Sequence, residues 1–151
     1  MRVIAARMTN EERASALARA LRAAVERDAD TLRALVTDDV RTWTPALSTA
    51  SLTELLDELA RRGDAFGDPQ LDVVPLDVGG EFACVEWTVE MTHSGAISLT
   101  DHATIEPTGI RVTVHGATVA EFLGDRICSL RQYWNELDVL EQLGGVVDDQ
   151  E

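Results

Sequence analysis

Apolar residues return every three or four positions in the first part of the chain and every second position after Pro69, so the order predicted is helices first and strands afterwards. Thr9-Asn-Glu-Glu12 fits a capping box, in which a hydroxyl and a carboxylate satisfy free backbone N–H groups at a helix start. Ala14, Leu17, Ala18, Leu21, Ala24 and Val25 follow at helical spacing and mark one buried face. Asp28 suits the cap of a second short helix carrying Leu32, Leu35 and Val36, and a brief strand over 40–44 ends at Pro45. Ser51-Leu-Thr-Glu54 opens a third helix, with Leu52, Leu55, Leu56 and Leu59 in one stripe and Gly63 as its stop.

Strands are predicted over 71–78 and 81–93, joined at Gly79-Gly80 as a hairpin. In the second of them Trp87, Val89, Met91 and His93 alternate with Glu86, Thr88, Glu90 and Thr92, which makes the first set the buried face. A loop over 94–109 leads to a strand over 110–123, a turn at Gly124-Asp125, a strand over 126–134 and a last helix from Glu136 to Leu143. This is an α+β order, an antiparallel sheet covered on one face by helices. If the sheet curls and the helices close it, a concave apolar pocket forms between the layers, the kind of space in which small molecules bind.

Length and composition fit one domain over 1–145 with a flexible acidic tail over 146–151: 151 residues with 45% hydrophobic content suffice for a single core. Residues 1–7 fit no element, which leaves Met1 and Met8 as alternative starts. No apolar run approaches the roughly 18 to 20 residues of a membrane span, and none has the form of an export signal, so the expectation is a cytoplasmic protein without membrane contact. Cys84 and Cys128 read as reduced, packed thiols.

Charge narrows the partners. Residues 1–62 hold ten Arg and ten acids, whereas 63–151 hold three Arg and seventeen acids, and the total is −14. Such a surface repels phosphate backbones, and no basic stripe with interleaved aromatics offsets it, so nucleic acid is not an expected partner. The absence of Lys excludes Schiff-base chemistry by this chain. His93, His102 and His115 lack close ligand spacing, and there is no nucleophile elbow, phosphate-cradling loop or dinucleotide fingerprint, so neither metal nor cofactor is expected.

Thr92-His-Ser-Gly95, the stretch from Glu106 to Gly116, and Phe122-Leu-Gly-Asp-Arg-Ile127 followed by Tyr133-Trp-Asn135 and Glu141-Gln-Leu-Gly144 resemble the SnoaL-like polyketide cyclase family of the nuclear transport factor 2-like superfamily. The resemblance runs from the first helix to Gly144 and implies a cone of curved antiparallel sheet with three N-terminal helices enclosing a pocket, a cystatin-like α+β barrel, commonly as a homodimer. Fold does not fix reaction, because that superfamily spans cyclases, isomerases, epoxide hydrolases, dehydratases and scaffolds. The resemblance also implies an acid/base aspartate seven residues before the Gln of Gln-Leu-Gly, where this chain has Asn135. A carboxamide donates and accepts hydrogen bonds but has no comparable basic site.

The candidate residues follow from face and position. Tyr133 and Asn135 alternate with Trp134 and share a face with Arg131 and Ser129; lining the pocket, Tyr133 and Asn135 would donate to a substrate oxygen, with Arg131 beside them. The alternative is that Tyr133 packs at the rim and Asn135 caps the last helix. His93 at its strand end, and His115 and Glu121 on the strand over 110–123, are the candidate proton carriers; Gly116 between the latter two would switch the inward face if it marks a bulge. Trp43, Trp87, Val89 and Met91 are the candidate walls for a flat ligand, or else simple core. The expectation is a cyclase or isomerase acting on an apolar, oxygenated, polyketide-type intermediate of specialised metabolism. A non-catalytic ligand-binding or dimerisation scaffold, and a hydratase or epoxide-hydrolase-like enzyme, are the alternatives.

Overall fold

The computed structural model describes residues 7–100 and 103–144. Met1, His102 and the acidic tail lie outside the described residues. Helix α1 (Asn10–Glu26) starts from the full capping box, Thr9 Oγ1 accepting from the Glu12 N–H at 3.1 Å and Glu12 accepting from the Thr9 N–H at 3.3 Å. Its Ala16, Leu17, Ala20, Leu21 and Ala23 are buried, as a helical stripe packed on a sheet requires. Asp28 caps α2 (Ala29–Leu35) through the Thr31 N–H and hydroxyl, and these two donors hold its carboxyl below the ordinary value.

Strand β1 (Val36–Trp43) follows without a loop and begins four residues before the strand read from the sequence. It pairs with a short β2 (Ser48–Thr49), where the Thr42 and Thr49 hydroxyls hydrogen-bond to each other. Helix α3 (Leu52–Gly63) is capped by Ser51, while Glu54 reaches past the cap to the Ala50 N–H at 2.8 Å. The remaining strands are β3 (Phe66–Leu76), β4 (Phe82–His93), β7 (Arg111–Leu123) and β8 (Arg126–Trp134), and α4 (Glu136–Gln142) closes the described chain. Between β4 and β7 the segment read as a loop carries a separate small hairpin, β5 (Ile97–Thr100) with β6 (Ala103–Ile105).

The main sheet has the order β2-β1-β8-β7-β4-β3, antiparallel except for the β1–β8 pair. It is curved, and α1 and α3 cover its concave face, giving the expected α+β cone. The face of each strand follows from the ladder. Trp87 stands opposite Gly116, and Gly116 opposite Trp134, so these three positions share the inner face with Val85, Val89, Val112, Val114, Thr118 and Ala120. Pairing runs through Gly116 without a shift, so no bulge switches the face there. The shift lies in β8: Glu121 pairs with Ser129 and Phe122 with Ile127, leaving Cys128 as the extra residue. As a result Ile127 and Leu130 are both buried despite their odd spacing.

Gly116 has a steric reason to be Gly. The Trp87 ring lies where its Cβ would be, and the Tyr133 carbonyl oxygen would stand 2.6 Å from that atom. Gly116→Ala is expected to destabilise the fold by about 1–3 kcal/mol through overpacking. Urea unfolding followed by tryptophan fluorescence checks this; an unchanged midpoint would mean that the ring has room to move.

Candidate active site

A cavity of about 210 Å³ lies between the concave face of the sheet and helices α1 and α3. Its inner wall is aromatic and aliphatic: Trp87, Val89 and Met91 from β4, Val114 from β7, Trp134 from β8, with Phe66 and Leu71 from β3 at one side. The helices contribute Leu21, Ala24 and Val25 from α1 and Leu55 and Leu59 from α3. Trp87 and Trp134 meet edge to face with centroids 6.1 Å apart. The Trp87 Nε1–H donates to the fully buried Thr118 hydroxyl at 2.9 Å, so the ring buries no unpaired donor and is held in one orientation.

The polar groups facing this space are few, and each has a structural origin. Gln132, opposite Thr118 in the ladder, brings a carboxamide to the wall, and the amide has no hydrogen-bond partner among the described residues. At the charged part of the lining stand Arg27, Arg62, Glu58 and Glu136. Arg62 lies over the Trp134 ring, its guanidinium carbon 5.5 Å from the centroid. Arg27, at the left-handed C-cap of α1, runs across Gly63, whose missing Cβ leaves room for it. Glu58 is paired with Arg61 at 2.9 Å, and Glu136 Oε2 accepts the Trp134 Nε1–H at 2.5 Å. Such a space suits an apolar ligand whose body lies against the two indoles and whose oxygens meet one amide or the charged groups.

The structure brings together only part of the set read from the sequence. Trp87, Val89 and Met91 line the cavity as expected from their alternation. Tyr133 and Asn135 do not: both are exposed, on the face opposite Gln132 and Trp134. Tyr133 packs outside on Trp43 with centroids 5.3 Å apart, and Trp43 is itself 44% exposed; Arg131, beside Trp43 in the ladder, faces the same way. His115 and Glu121 also lie on this outer face, His115 Nδ1 standing 3.0 Å from the Thr88 hydroxyl. In β8 the cause is the bulge at Cys128, which makes Leu130, Gln132 and Trp134 the inward series, whereas His115 and Glu121 face out by unbroken alternation along β7. Anchoring the phase on Leu130, with charged Arg131 turned out, is the signal that would have found Gln132 and Trp134.

Asn135 is the N-cap of α4, its Oδ1 accepting from the N–H groups of Leu137 at 3.1 Å and Asp138 at 3.4 Å. Asp138 is tied within the same helix to Gln142 Nε2 at 3.1 Å. His93 is inward but fully buried and is not part of the cavity lining. Its Nδ1 accepts the Thr108 N–H at 3.2 Å, which puts the proton of the neutral ring on Nε2, and Nε2 has no partner among the described residues. With its backbone bonded to Gly109 and Ile110, His93 ties the 106–110 segment to the sheet. Burial, with Glu86 beside Cys84 and Glu121 beside Cys128, pushes both thiols up, so neither is activated.

Among the described residues no helix is long and apolar enough to cross a membrane, and no group of three or more His, Cys, Asp or Glu has the arrangement of a metal site.

A curved sheet closed by helices over one apolar cavity defines the nuclear transport factor 2-like class of α+β proteins. The family model for the SnoaL-like domain matches residues 17–130, and the chain belongs to that family. Solved structures with the same fold include a proposed SnoaL-like polyketide cyclase from Jannaschia sp. CCS1, with a TM-score of 0.79 at 14% identity over 92% of this chain and 95% of that one. AclR, a proposed hydroxylase from Streptomyces galilaeus, gives 0.76 at 20% identity over 95% of this chain and 87% of that one. An LEH-like epoxide hydrolase from M. tuberculosis gives 0.67 at 19% identity over 89% and 90%. At these identities the likeness is one of fold. A search of curated protein sequences returns no significant match.

Asn135→Ala is expected to cost about 1 kcal/mol of stability, the ordinary worth of a helix cap, and to leave ligand affinity unchanged. Denaturant unfolding and a binding titration on the same variant check both halves; lost affinity without lost stability would return Asn135 to the binding site.

Proposed function

We propose that this protein binds an apolar, oxygenated small molecule of polyketide type in the cavity and promotes its cyclisation or isomerisation without a cofactor. The observation that carries the reading is the pairing of an unfilled aromatic cavity with one uncommitted carboxamide, Gln132, on its wall. A scaffold has no use for such a space and gains stability by filling it with side chains. An enzyme needs it open. Trp87 and Trp134 hold a flexible chain in a folded, reactive conformer, and confinement of this kind removes several kcal/mol of barrier. The Gln132 N–H groups then donate to the oxygen on which charge develops.

The cyclase named among the similar folds supports polyketide-type chemistry for this chain, and the epoxide hydrolase supports a second reading, addition of water. That reading draws on Glu58 and Glu136, carboxylates at the cavity able to activate water. The working form in this proposal is a cytoplasmic homodimer. Its contact is the outer sheet face, where Trp43, Tyr133, Val74 and Leu76 are exposed.

The experiment compares 1-tetralone with tetralin, which has the same rings without the oxygen. Wild type is expected to bind the ketone more tightly, by about 1 kcal/mol or roughly five-fold, and Gln132→Leu to remove that preference while still binding tetralin. Tryptophan quenching and thermal shift read both. No binding of either compound would overturn the small-molecule reading and favour the scaffold.

A further inference from the structure

We infer that Glu136 is the proton carrier of this cavity. The inference rests on the reading of the cavity as a substrate site and names the base that the reading needs. Three observations support it. Glu136 lines the cavity from the first position of α4, so the strand-end turn delivers a carboxylate to the apolar space although Asn135 faces away. Its Oε2 is held by the Trp134 Nε1–H at 2.5 Å, which fixes the carboxylate against the indole that forms the wall. Its Oε1 has no hydrogen-bond partner, and no Arg or His nitrogen lies within salt-bridge distance of Glu136, among the described residues.

The other carboxylate of the lining is differently placed. Glu58 Oε1 is paired with the Arg61 guanidinium at 2.9 Å, so that oxygen already has a cationic partner. None of the other acids read from the sequence as proton carriers reaches the cavity, since Glu121 lies on the outer face. Glu136 is therefore the group that combines access to the ligand, a fixed orientation and a free oxygen.

The step balances without a co-reactant. Glu136 removes a proton from a carbon flanked by carbonyls, and Gln132 donates a hydrogen bond to the enolate oxygen. The carbanion's electron pair forms a carbon–carbon bond to a second carbonyl carbon, and the alkoxide left there takes the proton back from the Glu136 carboxylic acid. For isomerisation the same proton returns to a different carbon.

The test uses 5-nitrobenzisoxazole, a flat apolar carbon acid. A base takes its C3 proton, the C–H electrons form the nitrile as the N–O bond breaks, and the coloured 2-cyano-4-nitrophenolate is released. Purified protein is titrated with the probe by tryptophan quenching, and release is followed under saturation for wild type, Glu136→Gln and Glu58→Gln. The expected result is binding by all three and a wild-type kcat reduced roughly a hundred-fold in Glu136→Gln, with KM little changed and the acidic limb of the pH–rate profile lost. Binding with a release rate indifferent to Glu136→Gln, or abolished by Glu58→Gln alone, would overturn the assignment and leave the cavity reading intact. Absence of binding in wild type would overturn the cavity reading and the assignment with it.

Discussion

The indole of Trp87 lying on the bare backbone of Gly116 is the contact on which the rest of the structure depends. Any side chain at position 116 would occupy the ring's place, so the glycine and the tryptophan are one feature split across two strands. Thr118 completes it by accepting the indole N–H in a fully buried position, where an unpaired donor would cost about 1–3 kcal/mol. With the ring so held, the phase of β4, β7 and β8 is no longer free. A slip of one residue would exchange the two faces of the sheet and place Tyr133 where Trp134 stands. The second indole then packs edge-on to the first, and the two form a rigid wall that the helices face across an open space.

That wall separates two chemistries carried by one sheet. Inside are apolar surfaces, one carboxamide, Thr42 and Thr44, and a few charges; outside are Trp43, Tyr133, both cysteines and the Glu86, Glu90 and Glu121 side of the alternation. The asymmetry of charge along the chain maps onto the same division. Arginines of the helical part, Arg27 and Arg62, stand at the cavity beside a sheet whose own sequence is strongly acidic. Arg62 is held there by the Trp134 ring, a contact worth about 0.5–1 kcal/mol at an exposed site. The carboxylates of Glu58 and Glu136 line the same space, so the cavity offers both signs of charge to a polar ligand.

Local rules were legible in the sequence wherever one residue type performs one task. Thr9, Asp28 and Ser51 cap the helices for which their side chains suit them, and strict alternation placed Trp87, Val89 and Met91 inside. The family resemblance and the order of elements gave the α+β cone. What stayed hidden depends on partners distant in sequence. β1 begins at Val36 because β8 pairs with it there, and the small β5–β6 hairpin has little periodicity over its few residues. The inward series of β8 depends on the bulge at Cys128, which no composition rule announces. Gly116 suggested a bulge from its residue type, yet its reason is the ring packed on it from the neighbouring strand. Asn135 shows the same limit: its residue type suits both a cavity donor and a helix cap, and only the fold around it decides for the cap.

The most direct measurement of the account is the set of intermolecular nuclear Overhauser effects between a bound apolar ketone such as 1-tetralone and the side chains of β8 in isotopically labelled protein. The account predicts contacts from the ligand protons to the Trp134 ring and the Gln132 amide, together with the Trp87 ring, and none to Tyr133 or Arg131. Contacts to Tyr133 and Asn135 with none to Trp134 would contradict the assignment of the inner face and the proposed function built on it.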